Sequence, residues 1–347
     1  MSADLYEAEV LPGLKPFAEE ELHRCFEERI VPLPTARDDS LAFRYRGSAA
    51  RLLNLRTAVA IYRVLGFAVP RPRALLGHAH LTRLLAAIEE VRGLHPPGAF
   101  ATFRFGAAGS GSAVFARLAT ELEAHTGLAH RPDEADLLIR VRAAALHPDG
   151  WEVLLRLSPR PLAARAWRRC DMEGALNATV AAAMVDLTQP RGTDRFLNPM
   201  CGSGTLLIER AARGPAQAIV GGDNDREALA CARQNVEAAG LLDRITLRWM
   251  DAAGSGEPPA AYDAICIDPP WGQLVGAGED LARLYHAVLV EAARVAAPDA
   301  RLVIITHALR VLETVLRDVE HLWAREQSFQ VYQGGLHPRI TALRRQS

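Results

Sequence analysis

The chain has 347 residues, 49% of them hydrophobic and 23% charged, with a formal net charge of −1. That balance excludes wholesale disorder, the length suggests two or three domains, and no apolar run reaches the ~18 residues a membrane helix needs. The near-zero charge hides a segregation: residues 1–39 carry net −6, residues 40–170 carry net +10 and residues 171–347 carry net −5, and Lys15 is the only lysine.

In chain order, residues 5–10 read as a strand closed by a turn at Pro12 and Gly13. A helix follows over roughly 15–28, with Phe17, Leu22 and Phe26 at helical spacing. Residues 40–45 alternate as a strand, and 49–65 read as an amphipathic helix through Leu52, Leu53, Leu55, Val59 and Ile61. Residues 1–65 thus predict a small α+β domain. Residues 66–157 repeat the pattern: helices over 82–92 and 113–127, strands over 100–105, 137–141 and 151–157, and a His-Pro-Asp-Gly turn at 147–150. A stiff linker over 158–172 follows. With Arg156 just before it, it carries Arg160, Arg165, Arg168 and Arg169 and no acid before Asp171, a composition suited to a phosphate-bearing partner or to a solvated face.

Residues 173–347 alternate strand and helix, with strands predicted at 193–198, 218–223, 245–249, 264–268 and 301–306. That rhythm predicts a mostly parallel sheet covered on both faces, whose ligand lies beyond the carboxyl ends of its strands. Four motifs fall at those ends. In FLNPMCGSGTLLIERA (196–211) a strand ends at Asn198 and a glycine turn opens a helix near Thr205. Glycines admit close approach of a ligand and a helix start offers free N–H groups, although a plain strand–turn–helix reads the same way. In IVGGDND (219–225) a strand ends at Asp223, placed to accept from ribose hydroxyls, with Asp225 or Asn224 able to cap the next helix. Asp251 follows ITLRWM and can accept from an adenine amino group. AICIDPPWG (264–272) ends a fourth strand on Asp268, a rigid Pro269-Pro270 pair and Trp271, whose ring can stack a base.

The order NPMCGSG, D, D, DPPWG resembles the class I S-adenosylmethionine-dependent methyltransferases, and its DPPW belongs to those that methylate exocyclic or amide nitrogens. The resemblance covers 171–347, and GGLHPRITALRR (334–345) looks like the family's closing strand. It implies a Rossmann-like α/β domain with a seven-stranded sheet. S-adenosyl-L-methionine would be held by Asn198, Pro199, Cys201, Gly202, Gly204, Thr205, Asp223, Asn224, Asp251, Ala252 and Asp268, with Asp268, Pro269, Pro270 and Trp271 as the catalytic group. Asn198 departs from the family, where most relatives carry Asp. EAEVLPGLKPFAEEEL, LLNLRTAVAIYRVL and LSPRPLAARAWR resemble the THUMP-containing RNA methyltransferases, in particular the bacterial TrmN type and its archaeal counterpart. This implies a ferredoxin-like domain over 1–65, a THUMP RNA-binding domain over 66–157 and a methyltransferase domain over 173–347.

The resemblance further implies formation of N2-methylguanosine at position 6 of the tRNA acceptor stem, on a flipped-out base, by a cytoplasmic monomer whose partner is tRNA with its 3′ end and which needs neither membrane nor metal. Hydrogen bonds from the guanine amine to Asp268 and the Pro269 carbonyl would localise its lone pair, and Asp268 or a water would take the proton. Arg156, Arg160, Arg165, Arg168 and Arg169 could line the RNA path. N2-guanine or N6-adenine methylation elsewhere in RNA stays open, as does a THUMP protein that binds RNA without catalysis. The opening MSADLYEAEV lacks the apolar core of a signal peptide, and five cysteines without C-x-x-C spacing predict a reducing compartment and no structural disulfide. Cys201 reads as packing, and Cys266, inside a strand, does not read as a nucleophile. His78 and His80 lack a third metal ligand nearby, and nothing in the sequence places His286 or His337.

Overall fold

Alternating apolar residues in the first strands pair into a sheet that runs through the whole N-terminal half. The computed structural model describes residues 3–35, 37–145, 150–272 and 280–346. The chain divides into one unit of Met1–Val10 with Ala18–Ala163 and another of Leu11–Phe17 with Ala164–Ser347. The elements up to the linker are β1 (Asp4–Glu9), α1 (Lys15–Phe26), β2 (Ile30–Leu33), β3 (Ser40–Tyr45), β4 (Ala60–Phe67), α2 (His78–Arg92), β5 (Thr102–Gly106), α3 (Ala113–Thr126), β6 (Ala129–His130), β7 (Leu137–Ala143) and β8 (Trp151–Arg156). Their strands form one sheet in the order β2-β3-β1-β4-β8-β7-β5-β6. Residue 65, the expected end of a first domain, lies inside β4, which pairs with both β1 and β8.

The helix expected over 49–65 is not formed. A 3-10 turn, Ala49–Asn54, leads instead into β4. Ile61, Tyr62, Val64 and Phe67 favour an extended chain. Ile61, Leu65 and Phe67 enter the main core while Ala60, Tyr62 and Val64 pack on the opposite face. With both faces buried, the strand loses the two-residue alternation that would mark it, and its apolar run imitates a helix. Of the expected 147–150 turn, residues 147–149 lie outside the described residues; the Gly150 carbonyl accepts from the Ala144 N–H at 2.9 Å.

The charge segregation is partly cancelled inside this sheet. Arg142 lies 2.6 Å from Glu7 and 3.0 Å from Glu152, and Arg140 lies 2.9 Å from Glu9. The acidic N-terminal strand therefore neutralises arginines of the basic middle.

The second unit holds α4 (Ala178–Leu187), β9 (Arg195–Asn198), α5 (Thr205–Ala212), β10 (Ala218–Asp223), α6 (Arg226–Ala238), β11 (Thr246–Trp249), β12 (Tyr262–Ile267), α7 (Leu281–Val295), β13 (Ala296–Thr306), α8 (Leu309–Asp318), β14 (Trp323–Gln330) and β15 (Arg339–Arg345). Its seven-stranded sheet runs β11-β10-β9-β12-β13-β15-β14. It is parallel from β11 to β13 and antiparallel across β13, β15 and β14, the mostly parallel sheet expected. Among the strands with no sequence expectation is β14, a largely exposed edge strand without an apolar run. α4 is alanine-rich and buried from Ala178 to Val185, and Asn177 caps it by accepting from the Thr179 N–H at 2.9 Å.

The expected absence of disulfides is corrected. Cys170 and Cys231 are bonded, their Cα atoms 5.4 Å apart across 61 residues of sequence. Such a separation carries no spacing signature, and only the fold brings residue 170 onto α6. Among the described residues no helix is long and apolar enough to cross a membrane.

Candidate functional site

The parallel register brings the ends of β9, β10, β11 and β12 side by side, and all four motifs lie there. At the end of β9, Asn198 is buried and its Oδ1 accepts from the Met200 N–H at 3.3 Å. The turn is held by the Cys201 N–H donating to the Gly222 carbonyl and the Gly204 N–H to the Cys201 carbonyl, each at 2.8 Å. Gly204, φ +81, precedes the first residue of α5, and a Cβ there would meet the Ala232 side chain at 3.3 Å. Gly202, φ +49, faces open space. Left-handed backbone at both positions is what the glycines supply.

Asp223 closes the cradle from β10. Its carboxylate accepts from the Gly202 N–H at 2.9 Å and the Asp225 N–H at 3.0 Å. Burial pushes its pKa up while those N–H groups pull it down. Asp225 caps α6 by accepting from the Glu227 N–H at 2.8 Å, so the acid against the glycine turn and the helix cap are different residues. Asn224 is exposed, and its carbonyl accepts from the Trp249 indole at 3.1 Å. Beyond β11, Asp251 is exposed and accepts from the Ala253 N–H at 2.9 Å, with Ala252 buried beside it.

Past β12, the Trp271 indole N–H donates to Asp268 Oδ1 at 3.1 Å. Desolvation raises the Asp268 carboxyl to about 7, opposed only by that bond. Tyr285 of α7, buried beneath the loop, donates its hydroxyl to the Pro270 carbonyl at 2.8 Å. A tyrosine among the apolar residues of an amphipathic helix carries no sequence signal beyond core packing.

Cys201 and Cys266 lie in the apolar core, and burial pushes both thiols up. Asn235, buried on α6, is a second residue no pattern marked. Its Oδ1 accepts from the Arg169 and Cys170 N–H groups at 2.8 and 2.9 Å, and its Nδ2 donates to the Cys170 and Ser203 carbonyls at 2.9 Å each. That amide ties the linker end to the glycine turn with its hydrogen-bonding capacity filled.

The five arginines, expected together along an RNA path, do not share one environment. Arg156 is buried and donates to the carbonyls of Ser158, Asp136 and Pro159. Arg165 lies 2.9 Å from the fully buried Glu209. Arg168 donates to the Leu176 carbonyl and to Thr205 Oγ1 at 3.0 and 3.1 Å. Arg160 and Arg169 are exposed. Desolvated guanidiniums satisfy carbonyls and carboxylates because an unpaired buried charge is too costly. His78 and His286 are exposed, His80 packs edge-on against Phe67, and His337 does the same against Tyr332. Among the described residues no cluster of three or more His, Cys, Asp or Glu side chains could hold a metal ion.

A profile of the UPF0020 family, described as RMKL-like, methyltransferase domain, matches residues 165–339. A tRNA (guanine(6)-N2)-methyltransferase from Thermus thermophilus is 31% identical over 192 residues, covering 54% of this chain and 55% of that protein. A U6 snRNA (guanine-N(2))-methyltransferase from Bos taurus is 36% identical over 124 residues, covering 36% of this chain and 24% of that protein. The chain thus spans about half the length, or less, of these curated relatives. Among solved structures, TrmN from Thermus thermophilus superposes with a TM-score of 0.75 at 25% identity, covering 99% of each chain.

Proposed function

The chain belongs to the UPF0020 methyltransferase family, and we propose that it is an S-adenosylmethionine-dependent tRNA guanine-N2 methyltransferase. The observation that carries this reading is the Trp271–Asp268 hydrogen bond, set in a DPPW loop beside the Asp223–Gly202 cradle. A half-buried acceptor with a fixed aromatic neighbour suits an exocyclic amine, and a carboxylate against a glycine turn suits a nucleoside. The guanine-N2 chemistry named for the curated relatives of tRNA and U6 snRNA supports the choice of guanine.

The residues present fit the cofactor. Asp223 uses two oxygens on backbone N–H groups and keeps lone pairs for vicinal hydroxyls, while Gly202 leaves open space where a side chain would intrude. Asn198, Pro199, Cys201, Gly204, Thr205, Asn224, Asp251 and Ala252 surround that cradle in sequence. When bound, S-adenosylmethionine supplies an activated methyl group, so the protein's task is alignment. Asp268 and the Pro269 carbonyl accept from the guanine amine and localise its lone pair, Asp268 takes the proton released, and Trp271 stacks the base. A guanine in a helical stem must leave the stack to reach this loop. Residues 1–157 supply the ferredoxin-like and THUMP part of the RNA grip, and position 6 of the acceptor stem is the target.

Purified protein incubated with labelled S-adenosylmethionine and unmodified tRNA transcripts, then digested to nucleosides, tests this. N2-methylguanosine that disappears in Asp268→Ala is expected. N6-methyladenosine, or no tRNA product from cofactor-binding protein, would overturn it; the U6 snRNA relative makes small nuclear RNA the next substrate to try.

A further inference from the structure

Four polar groups beneath the DPPW loop form a chain whose direction can be worked out. Tyr285 Oη lies 2.8 Å from the Pro270 carbonyl and 2.7 Å from Thr306 Oγ1, and the Ala308 N–H donates to Thr306 Oγ1 at 2.9 Å. A carbonyl only accepts, so the single phenol hydrogen goes to Pro270. Tyr285 can then only accept from Thr306, whose own oxygen accepts from Ala308. Tyr285 and Thr306 are fully buried, so water does not compete with these bonds. Pro270 has no N–H of its own, which leaves its carbonyl as the anchor for that residue's backbone. Burial pushes the Tyr285 hydroxyl up to about 12, so it stays a donor at any working pH.

We propose that Tyr285 is a positioning residue: the relay from Ala308 through Thr306 and Tyr285 to the Pro270 carbonyl sets the height and orientation of the loop that presents Asp268 and Trp271 to the target amine. The inference rests on the reading of that loop as the amine-binding element. Trp271 and Asp268 bond to each other within the loop, while the relay fixes the loop to α7 and to the end of β13. Bonds in series polarise one another, so loss of the Thr306 hydroxyl weakens the last bond without breaking it.

The test uses the full chain as Tyr285→Phe, Thr306→Val, Thr306→Ser and the double variant that combines Tyr285→Phe with Thr306→Val. Four quantities are measured: kcat on tRNA transcript, KM for S-adenosylmethionine, the cofactor Kd by calorimetry, and the Trp271 indole N–H resonance assigned with Trp271→Phe. Tyr285→Phe is expected to lower kcat about tenfold, since rate falls steeply with misalignment, with KM and Kd for the cofactor unchanged and the indole resonance moved. Thr306→Val loses less, Thr306→Ser restores that loss, and the double variant is no worse than Tyr285→Phe. An unchanged kcat, a loss carried by the cofactor Kd, or a double variant equal to the product of the singles overturns the relay. Should Tyr285→Phe not fold, the contrast between valine and serine at 306 decides. Should the wild type not methylate tRNA, the proposed function fails instead, and an indole resonance unmoved in Tyr285→Phe overturns the relay on its own.

Discussion

A carboxyl that takes the proton from an amine, the role proposed for Asp268, works only when ionised, and Asp268 stands at that boundary because burial has lifted its pKa to about 7. Methyl transfer should therefore rise as pH passes through about 7 and level off above it, and Asp268→Asn should abolish the rise along with most of the rate. Stability runs the other way. The folded carboxyl holds its proton more tightly than the unfolded one, so folding is favoured below the ordinary carboxylate range and loses that stabilisation as pH rises toward 7. In thermal melts Asp268→Asn should thus be more stable than wild type at pH 8, with the gap narrower at pH 5 and closing only below the ordinary carboxylate range. A variant less stable than wild type at pH 8 would place the carboxyl in a more polar setting than its neighbours indicate. This residue could be found from sequence because its chemistry is local: acid, two prolines and an indole lie within four positions. Tyr285 could not, because its partner is fifteen residues away and only the docking of α7 joins them.

At the level of elements, the same limit explains the linker. A run of arginines without acids suggests polyanion binding, yet a guanidinium's role is decided by what burial leaves it to bond. Arg165 and Glu209 are both buried, with side-chain exposures of 7% and 0%. Removing the arginine takes a buried opposite charge away from Glu209, so Arg165→Ala should cost about 3–5 kcal/mol in denaturant unfolding, whereas Arg160→Ala, at an exposed position, should cost almost nothing. Comparable midpoints for the two variants would show that Glu209 finds other support. The disulfide makes a second prediction in the same region. Bonding Cys170 to Cys231 closes a loop of 61 residues, for which chain entropy predicts about 4 kcal/mol of stabilisation. Reduction should lower the melting temperature, and Cys231→Ser should melt like the reduced wild type under either condition. A Cys231→Ser protein that matched the oxidised wild type would mean that the Asn235 amide alone holds residue 170 on α6. β4 shows why periodicity misleads at this scale: a strand buried on both faces and a buried helical turn present the same apolar run, and only the sheet on either side separates them.

For the whole molecule, the charge segregation was legible in the sequence and its meaning was not. Glu7, Glu9 and Glu152 take up Arg140 and Arg142 inside the N-terminal sheet, Arg156 is spent on three carbonyls, and Arg165 on Glu209. The net +10 of residues 40–170 therefore overstates the charge available to a polyanion. Salt dependence measures what is left, because each phosphate neutralised releases counterions and steepens the fall of affinity with salt by about 0.7–0.9 in log–log slope. If the exposed Arg160 and Arg169 touch tRNA phosphates, their double alanine variant should bind with a slope shallower by about 1.4–1.8, the sum of two such contacts. Arg156→Ala should act differently, lowering the unfolding midpoint and leaving the slope of the folded fraction unchanged, since its charge is buried in hydrogen bonds. An unchanged slope in the Arg160/Arg169 variant would remove the linker from the RNA path and leave recognition to arginines of the N-terminal unit that carboxylates have not already claimed.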